Sequence, residues 1–190
     1  MPRKPDVALE GRIVDVAYRL WSQQGEASLT MRAVARAART TTPTLYQRFR
    51  NKSDLKHFLE ERARQKLFDA LQPARTAIDV CRFALRFTAE HSHEYRLLVT
   101  DWGIRHANGM PMRSFEYFKR KLANELGGAP GDHQDLAFQL FALVHGTALL
   151  RPADAEQEST ATALEETCLN ACGALLRDAA ERRRANLKSS

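Results

Sequence analysis

Residues 30–55 read TMRAVARAARTTTPTLYQRFRNKSDL. Thr30 is a good N-cap, and Met31, Val34, Ala35 and Ala38 then recur at helical spacing. Arg39-Thr40-Thr41 interrupts the pattern with turn-forming residues. Thr41 or Thr42 caps a second helix with Pro43 in its first turn, where a missing N–H costs nothing. Leu45 and Phe49, four apart, make its apolar stripe. Its other face carries Thr42, Thr44, Gln47 and Arg48, with no acid. Two short helices across a tight turn, the second with an acid-free polar face, predict a helix-turn-helix. The bland alternative is a helical hairpin that only packs. Phosphates and base edges suit this face better, because every polar group on it donates hydrogen bonds or carries positive charge.

The charge distribution points the same way. Residues 1–66 hold 14 Lys and Arg against 7 Asp and Glu, whereas residues 67–190 hold 15 against 16. The whole positive excess lies in the segment with the helix pair, which favours a nucleic-acid partner over a merely solvated basic face. A signal peptide is not expected from Met1-Pro2-Arg3-Lys4-Pro5-Asp6. The longest apolar run, Leu140 to Val144, is far too short to span a bilayer. Three cysteines do not suggest a disulfide framework. The expectation is a cytoplasmic protein without a membrane partner.

Ile13 through Leu55 resembles the N-terminal domain of TetR-type transcriptional regulators. The resemblance rests on Ala35, Ala38, a three-residue turn and the run Leu45-Tyr46, Phe49, Lys52, Leu55, a complete Leu-Tyr-x-x-Phe-x-x-Lys-x-x-Leu pattern. It covers about a third of the chain in sequence and extends over the rest only as architecture. Arg39 departs from the family, which usually has Gly in the turn. A non-Gly residue with positive φ is strained, so either Arg39 bears that strain or the turn is built differently. Arg39 could also add a phosphate contact.

The rest of the chain reads as helices separated by Gly and Pro, about nine in all and no sheet. They are Leu9–Gln24, the two of the motif, and a long helix capped by Asn51, with Asp54 reaching back, that runs to about Leu71. Then come Ala74 to His91, Glu94–Asp101, Met112–Leu126, Asp132–Leu150 and Ala155–Arg184. Gly103 to Pro111 reads as a loop. The expected organisation is all-α, with a three-helix DNA-binding head at 9–55, a linking helix at 52–71, and a ligand-binding and dimerisation body at 56–186.

Candidate DNA contacts are Thr30, Arg32, Thr41, Thr42, Thr44, Tyr46, Gln47, Arg48 and Lys52. Tyr46 resembles the family tyrosine that leans on the phosphate backbone, although packing on the first helix is its alternative. Lys52 and Thr30 start helices, where backbone N–H groups and the dipole favour phosphate. Thr42, Thr44 and Gln47 are the candidates for base edges. Arg3-Lys4 could reach an adjacent groove or remain a disordered arm.

Apolar stripes in the last two helices, Leu136, Leu140 and Val144 beside Gly146, and Leu164, Cys168 and Leu175, suit a homodimer interface. They equally suit intramolecular core. The aromatic middle, Phe83, Phe87, Trp102, Phe115, Phe118 and Phe141 with His91 and His145 among them, suits an apolar or aromatic effector, as the resemblance implies, or a solid core. His91-Ser92-His93 with Glu90 and Glu94 suits a solvated helix end better than a surface cation. Cys168 and Cys172 at i, i+4 suit helix packing better than redox sensing. No phosphate-binding Gly loop, nucleophile elbow or His-Glu-x-x-His is present, so neither catalysis nor a cofactor is expected. The leading expectation is a repressor that binds a palindromic double-stranded operator and responds to a ligand. The alternatives are a DNA-binding occlusion factor without effector control and, last, a helical enzyme.

Overall fold

The computed structural model describes residues 7–100, 102–110, 112–152 and 157–188. Among them are ten α-helices and no strand: α1 (Val7–Gln24), α2 (Met31–Ala37), α3 (Thr42–Tyr46), α4 (Lys52–Leu71), α5 (Ala77–Glu90), α6 (Ser92–Thr100), α7 (Trp102–Ala107), α8 (Arg113–Leu126), α9 (Gln134–Leu150) and α10 (Glu158–Lys188). Short 3-10 turns stand at Glu26–Ser28 and Pro130–His133. None of the described helices is long and apolar enough to cross a membrane. The all-α expectation holds. The additional helix is α7, in the segment read as a loop: Gly103 falls in its first turn and Gly109 beyond its end, and residues 104–107 between them are helix-compatible. Arg3 and Lys4 of the expected arm, and Asp101, lie outside the described residues.

The chain forms two compact units, Met1–Lys66 with His91–Gly103, and Leu67–Glu90 with Ile104–Ser190. The first three-quarters of α4, and α6 far along the chain, belong with the first unit. In the first unit α1 packs on α2 and α6, and α2 on α3. Ile13, Ala17, Trp21, Val34, Leu45, Phe49, Leu55, Leu59 and Ala63 are buried, each at the helical spacing that sets its inward face. Phe58 of α4 is 41% exposed and meets Phe49 edge-on at 5.4 Å.

A buried polar group ties the elements of this unit together. Glu94 on α6 is 2% exposed, accepts a hydrogen bond from the Tyr18 hydroxyl of α1 at 3.4 Å, and pairs with Lys66 Nζ of α4 at 3.1 Å. His91 Nδ1 lies 3.2 Å from the same Nζ. Burial, then the Glu94 charge, pushes the Tyr18 phenol well above its usual range. His91 and Glu94 are thus engaged inside the head rather than arranged as a solvated helix end.

In the second unit, α5, α8, α9 and α10 enclose a core that includes Val80, Leu85, Phe115, Phe118, Leu122, Leu140 and Val144. α5 begins at Ala77, not Ala74, because Thr76 and Asp79 cap it reciprocally: Asp79 N–H donates to Thr76 Oγ1 at 3.3 Å and Thr76 N–H to Asp79 Oδ2 at 3.1 Å. These bonds, the Thr76 side chain's first, hold the Asp79 carboxyl below its usual range. Cys81 of α5 meets Cys172 of α10, which also meets Cys168, and all three are buried free thiols. Gly128, at φ 83°, leaves room that a Cβ would take from the Arg183 guanidinium.

Candidate nucleic-acid interface

The helix-turn-helix is built by its caps. Thr30 Oγ1 accepts the Ala33 N–H at 3.1 Å and starts α2. At the other end Thr40 N–H bonds to the Ala35 carbonyl at 2.9 Å and Arg39 N–H to that of Arg36 at 3.2 Å. This pair is a Schellman motif, which requires a left-handed residue at Arg39, and Arg39 has φ 53°. Arg39 therefore bears the strain that Gly would avoid.

Thr41 then caps α3 by accepting the Thr44 N–H at 3.3 Å. The Thr41 and Thr44 hydroxyls lie 2.8 Å apart, one donating a hydrogen bond to the other. Either way one hydroxyl hydrogen still points away from the pair, available to a phosphate or base oxygen. Regular α-helix ends at Tyr46, short of the Phe49 expected. The Arg48 and Phe49 N–H groups both converge on the Leu45 carbonyl, at 3.0 and 2.9 Å, as the chain tightens towards α4. Leu45 and Phe49 are buried, while Tyr46 is 50% exposed. Half of the Tyr46 residue surface is therefore open. Gln47 is exposed beside it, Thr42 and Thr44 are half-buried, and Arg48 keeps a buried Nε without a partner. Arg32 is exposed in the first turn of α2.

α4 starts on Asn51, whose Oδ1 accepts the Asp54 N–H at 2.8 Å. Asp54 reaches back one residue further than a capping box requires, to the Arg50 N–H at 3.1 Å. Lys52 stands at this N-terminus, and sequence reasoning missed its neighbour. Glu26 of the 3-10 turn accepts from Lys52 Nζ through its carbonyl at 3.4 Å, and its carboxylate lies 4.0 Å from Lys52 and 3.5 Å from Lys56. No periodic signal in the sequence announces a pair 26 residues apart.

The remaining candidate residues lie elsewhere. Phe83, Phe87, Phe115, Phe118, Phe141 and His145 belong to the second unit, and His91 and Trp102 to the first. Phe115 and Phe118 are core residues, and Phe83 and Phe141 pack against that core. Phe141 stacks on His145 at 5.7 Å and meets Phe115 edge-on at 6.5 Å. Burial holds the His145 imidazole below its ordinary value. Leu140, Val144 and Cys168 are buried at 0%, 5% and 4% exposure in the chain's own core. They therefore have no side-chain surface to offer a second subunit, and the expectation that they form an interface is corrected. Leu136, Leu164 and Leu175 are partly buried, and a Cβ at Gly146 would meet open space. The outward face of α9 instead carries Phe138, Gly146 and Leu149, with Phe138 43% and Leu149 63% exposed.

The sequence model of the family described as bacterial regulatory proteins, tetR family, matches residues 13–57. A search of curated proteins finds no sequence match. Among solved structures the chain is similar to a TetR variant from Acinetobacter baumannii described in complex with minocycline, at 17% identity and TM-score 0.61, over 92% of this chain and 97% of that one. It is also similar to two Streptomyces coelicolor proteins. One is a possible TetR family regulator, at 20% identity and TM-score 0.54, over 92% and 98% of the two chains. The other is a putative transcriptional regulator, at 22% identity and TM-score 0.54, over 86% and 96%. At such identities the likeness is one of fold, and it is the match at residues 13–57 that bears on the site. Residues 13–57 thus match the tetR-family regulatory domain, and the chain around them has the fold of TetR-like regulators.

Proposed function

We propose that the protein is a ligand-responsive repressor that binds a palindromic operator as a homodimer in the cytoplasm. The observation that carries the DNA reading is the capped, acid-free face of α3, with Tyr46 and Gln47 exposed and the Thr41–Thr44 hydroxyl pair beside them. Thr30, Arg32, Tyr46, Arg48 and Lys52 would hold phosphates and fix the register. Thr41, Thr42, Thr44 and Gln47 would meet base edges. Two heads related by a two-fold axis read two half-sites, so an operator with dyad symmetry suits a dimer. The exposed stripe Phe138–Gly146–Leu149 on α9 is the surface offered to the second copy. Phe138 and Leu149 supply apolar area, and Gly146 permits close approach.

The stacked Phe141–His145 pair with Phe115 is the place in the body where an aromatic effector would find ring faces and a neutral imidazole. The Acinetobacter neighbour, described in complex with a small molecule, supports looking there. The test is footprinting on random duplex libraries, followed by a screen of aromatic compounds for release of the selected duplex. A two-fold symmetric footprint that small molecules dissolve is the expected result. Selection of no sequence at all would remove the operator reading.

A further inference from the structure

On the first unit, a cleft of about 520 Å³ opens between α1 and the end of α2. Its floor is the buried Val16 and Ala38, and its rim carries Arg12, Arg19 and Arg39. Arg12, Asp15 and Arg19 fall at i, i+3 and i+7, a single face of α1, and Arg39 faces them from the turn. Asp15 is the only acid at the rim among the described residues, and Arg62 of α4 already pairs with it. Among the described residues none of the three rim guanidiniums has an ion pair or a side-chain hydrogen bond. The cleft thus gathers three uncompensated positive charges over an apolar floor. Arg39 is held at this rim in a left-handed conformation that Gly would adopt without strain. Such strained positions concentrate where a side chain is used.

We propose that this cleft is a binding site for an oligophosphate. Arg is the side chain whose planar fork matches phosphate oxygens in pairs. Arg12 and Arg19 stand seven residues apart, about 10 Å along the helix axis. That separation spans more than one phosphate and suits two in succession, with Arg39 closing over them from the opposite wall. The volume falls within the range of small-molecule sites. Two sources offer this chemistry: successive phosphates of a bound duplex backbone, and a free diphosphate or triphosphate. The site stands independently of the DNA reading, and only its duplex source rests on that reading.

The experiment uses the full chain, a triple variant Arg12→Ala, Arg19→Ala, Arg39→Gly, and a length-preserving pair Arg12→Gln, Arg19→Gln. Circular dichroism confirms that each is folded. Inorganic pyrophosphate is titrated calorimetrically, and duplex affinity is measured against salt. If the phosphate is free, wild type binds pyrophosphate and both variants lose at least tenfold in affinity. If it belongs to the duplex, the salt slope falls by about 0.9 for each lost contact, about 1.8 for the pair and about 2.7 for the triple variant. Pyrophosphate binding without a slope change assigns the free source, and the reverse assigns the backbone. Variants that match wild type in both measurements overturn the proposal, as does a wild type that binds neither. A wild type that binds pyrophosphate but no duplex retains the site and removes the DNA reading.

Discussion

Replacing Arg39 with Gly is expected to stabilise the protein. Arg39 has φ 53° and closes a Schellman motif through the Thr40 N–H to Ala35 carbonyl bond. A left-handed conformation costs an L-residue about 1–2 kcal/mol. Glycine avoids that cost but loses about 0.5–1 kcal/mol more backbone freedom on folding. The difference leaves about 0.5–1 kcal/mol in favour of Arg39→Gly. No other loss offsets it, because the Arg39 side chain is exposed and pairs with none of the described residues. For a chain of this size the gain corresponds to a rise in melting temperature of roughly 1–4 °C. Arg39→Ala is the control: it removes the guanidinium and keeps the strain, so it should stay within about 0.5 kcal/mol of wild type. Denaturant unfolding with coincident fluorescence and circular dichroism measures both. A destabilised Arg39→Gly with an unchanged slope would refute the reasoning, since the turn would then owe its stability to the side chain. An Arg39→Ala variant that loses more than about 1 kcal/mol would say the same.

Other expectations follow from single contacts. Glu26→Gln should free Lys52 and Lys56 and raise affinity for nonspecific duplex by a few-fold at low salt. Lys52→Ala should flatten the salt slope by about 0.9, and an unchanged slope would remove Lys52 from the phosphate contacts. Phe138→Glu or Leu149→Glu should yield folded monomers by light scattering, whereas Leu140→Glu should unfold the body, because Leu140 is wholly buried. If all three give folded dimers, the exposed face of α9 is not the interface. The Tyr18 phenol titrates above its unfolded value, so its contribution is intact below about pH 10 and is lost as pH rises through the folded value. Tyr18→Phe should remove part of that alkaline loss in a pH series of unfolding midpoints. Identical pH profiles for the two proteins would exclude Tyr18 as its source.

Local physics decided which features could be read from the chain alone. The caps Thr30, Thr41 and Asn51, the Pro43 position and the Leu45–Phe49 stripe all act within four residues, so spacing reveals them, and the structure keeps each one. The left-handed demand at Arg39 was legible for the same reason. Glu94 was not. Its partners Tyr18 and Lys66 lie 76 and 28 residues away, and nothing periodic marks a buried carboxylate that meets its cation through tertiary packing. The burial of Leu140 and Val144 was hidden for a different reason. α9 carries Leu136, Ala137, Leu140, Phe141, Leu143 and Val144 inward or sideways, and Phe138, Leu149 and Leu150 outward. A helix apolar on most of its circumference fits two inward faces equally well, and only α5 and α10 packed against it select one.

The contacts around α3 and the start of α4 also bear on how the head would discriminate one duplex from another. Several of its polar groups are already occupied in the free protein: Thr41 with Thr44, and Lys52 with Glu26. Binding therefore exchanges partners rather than filling empty positions. For Lys52 the exchange is easy. Its carboxylate partner is 4.0 Å away and 61% exposed, and such surface pairs contribute roughly 0–1 kcal/mol, so a phosphate displaces it wherever the backbone passes. For the threonines the exchange is selective. The Thr41–Thr44 bond is short, and Thr41 is fixed by its cap, so a base edge gains only if it takes the free hydroxyl hydrogen along the direction the cap imposes. On the proposed reading a partly exposed lysine would confer affinity for any duplex, whereas a hydroxyl pair held by its own helix cap would confer preference for one. Disrupting the cap by Thr41→Val should therefore reduce specific binding far more than nonspecific binding, while Lys52→Ala should lower both alike. Equal losses in the two assays for Thr41→Val would place that threonine among the backbone contacts instead.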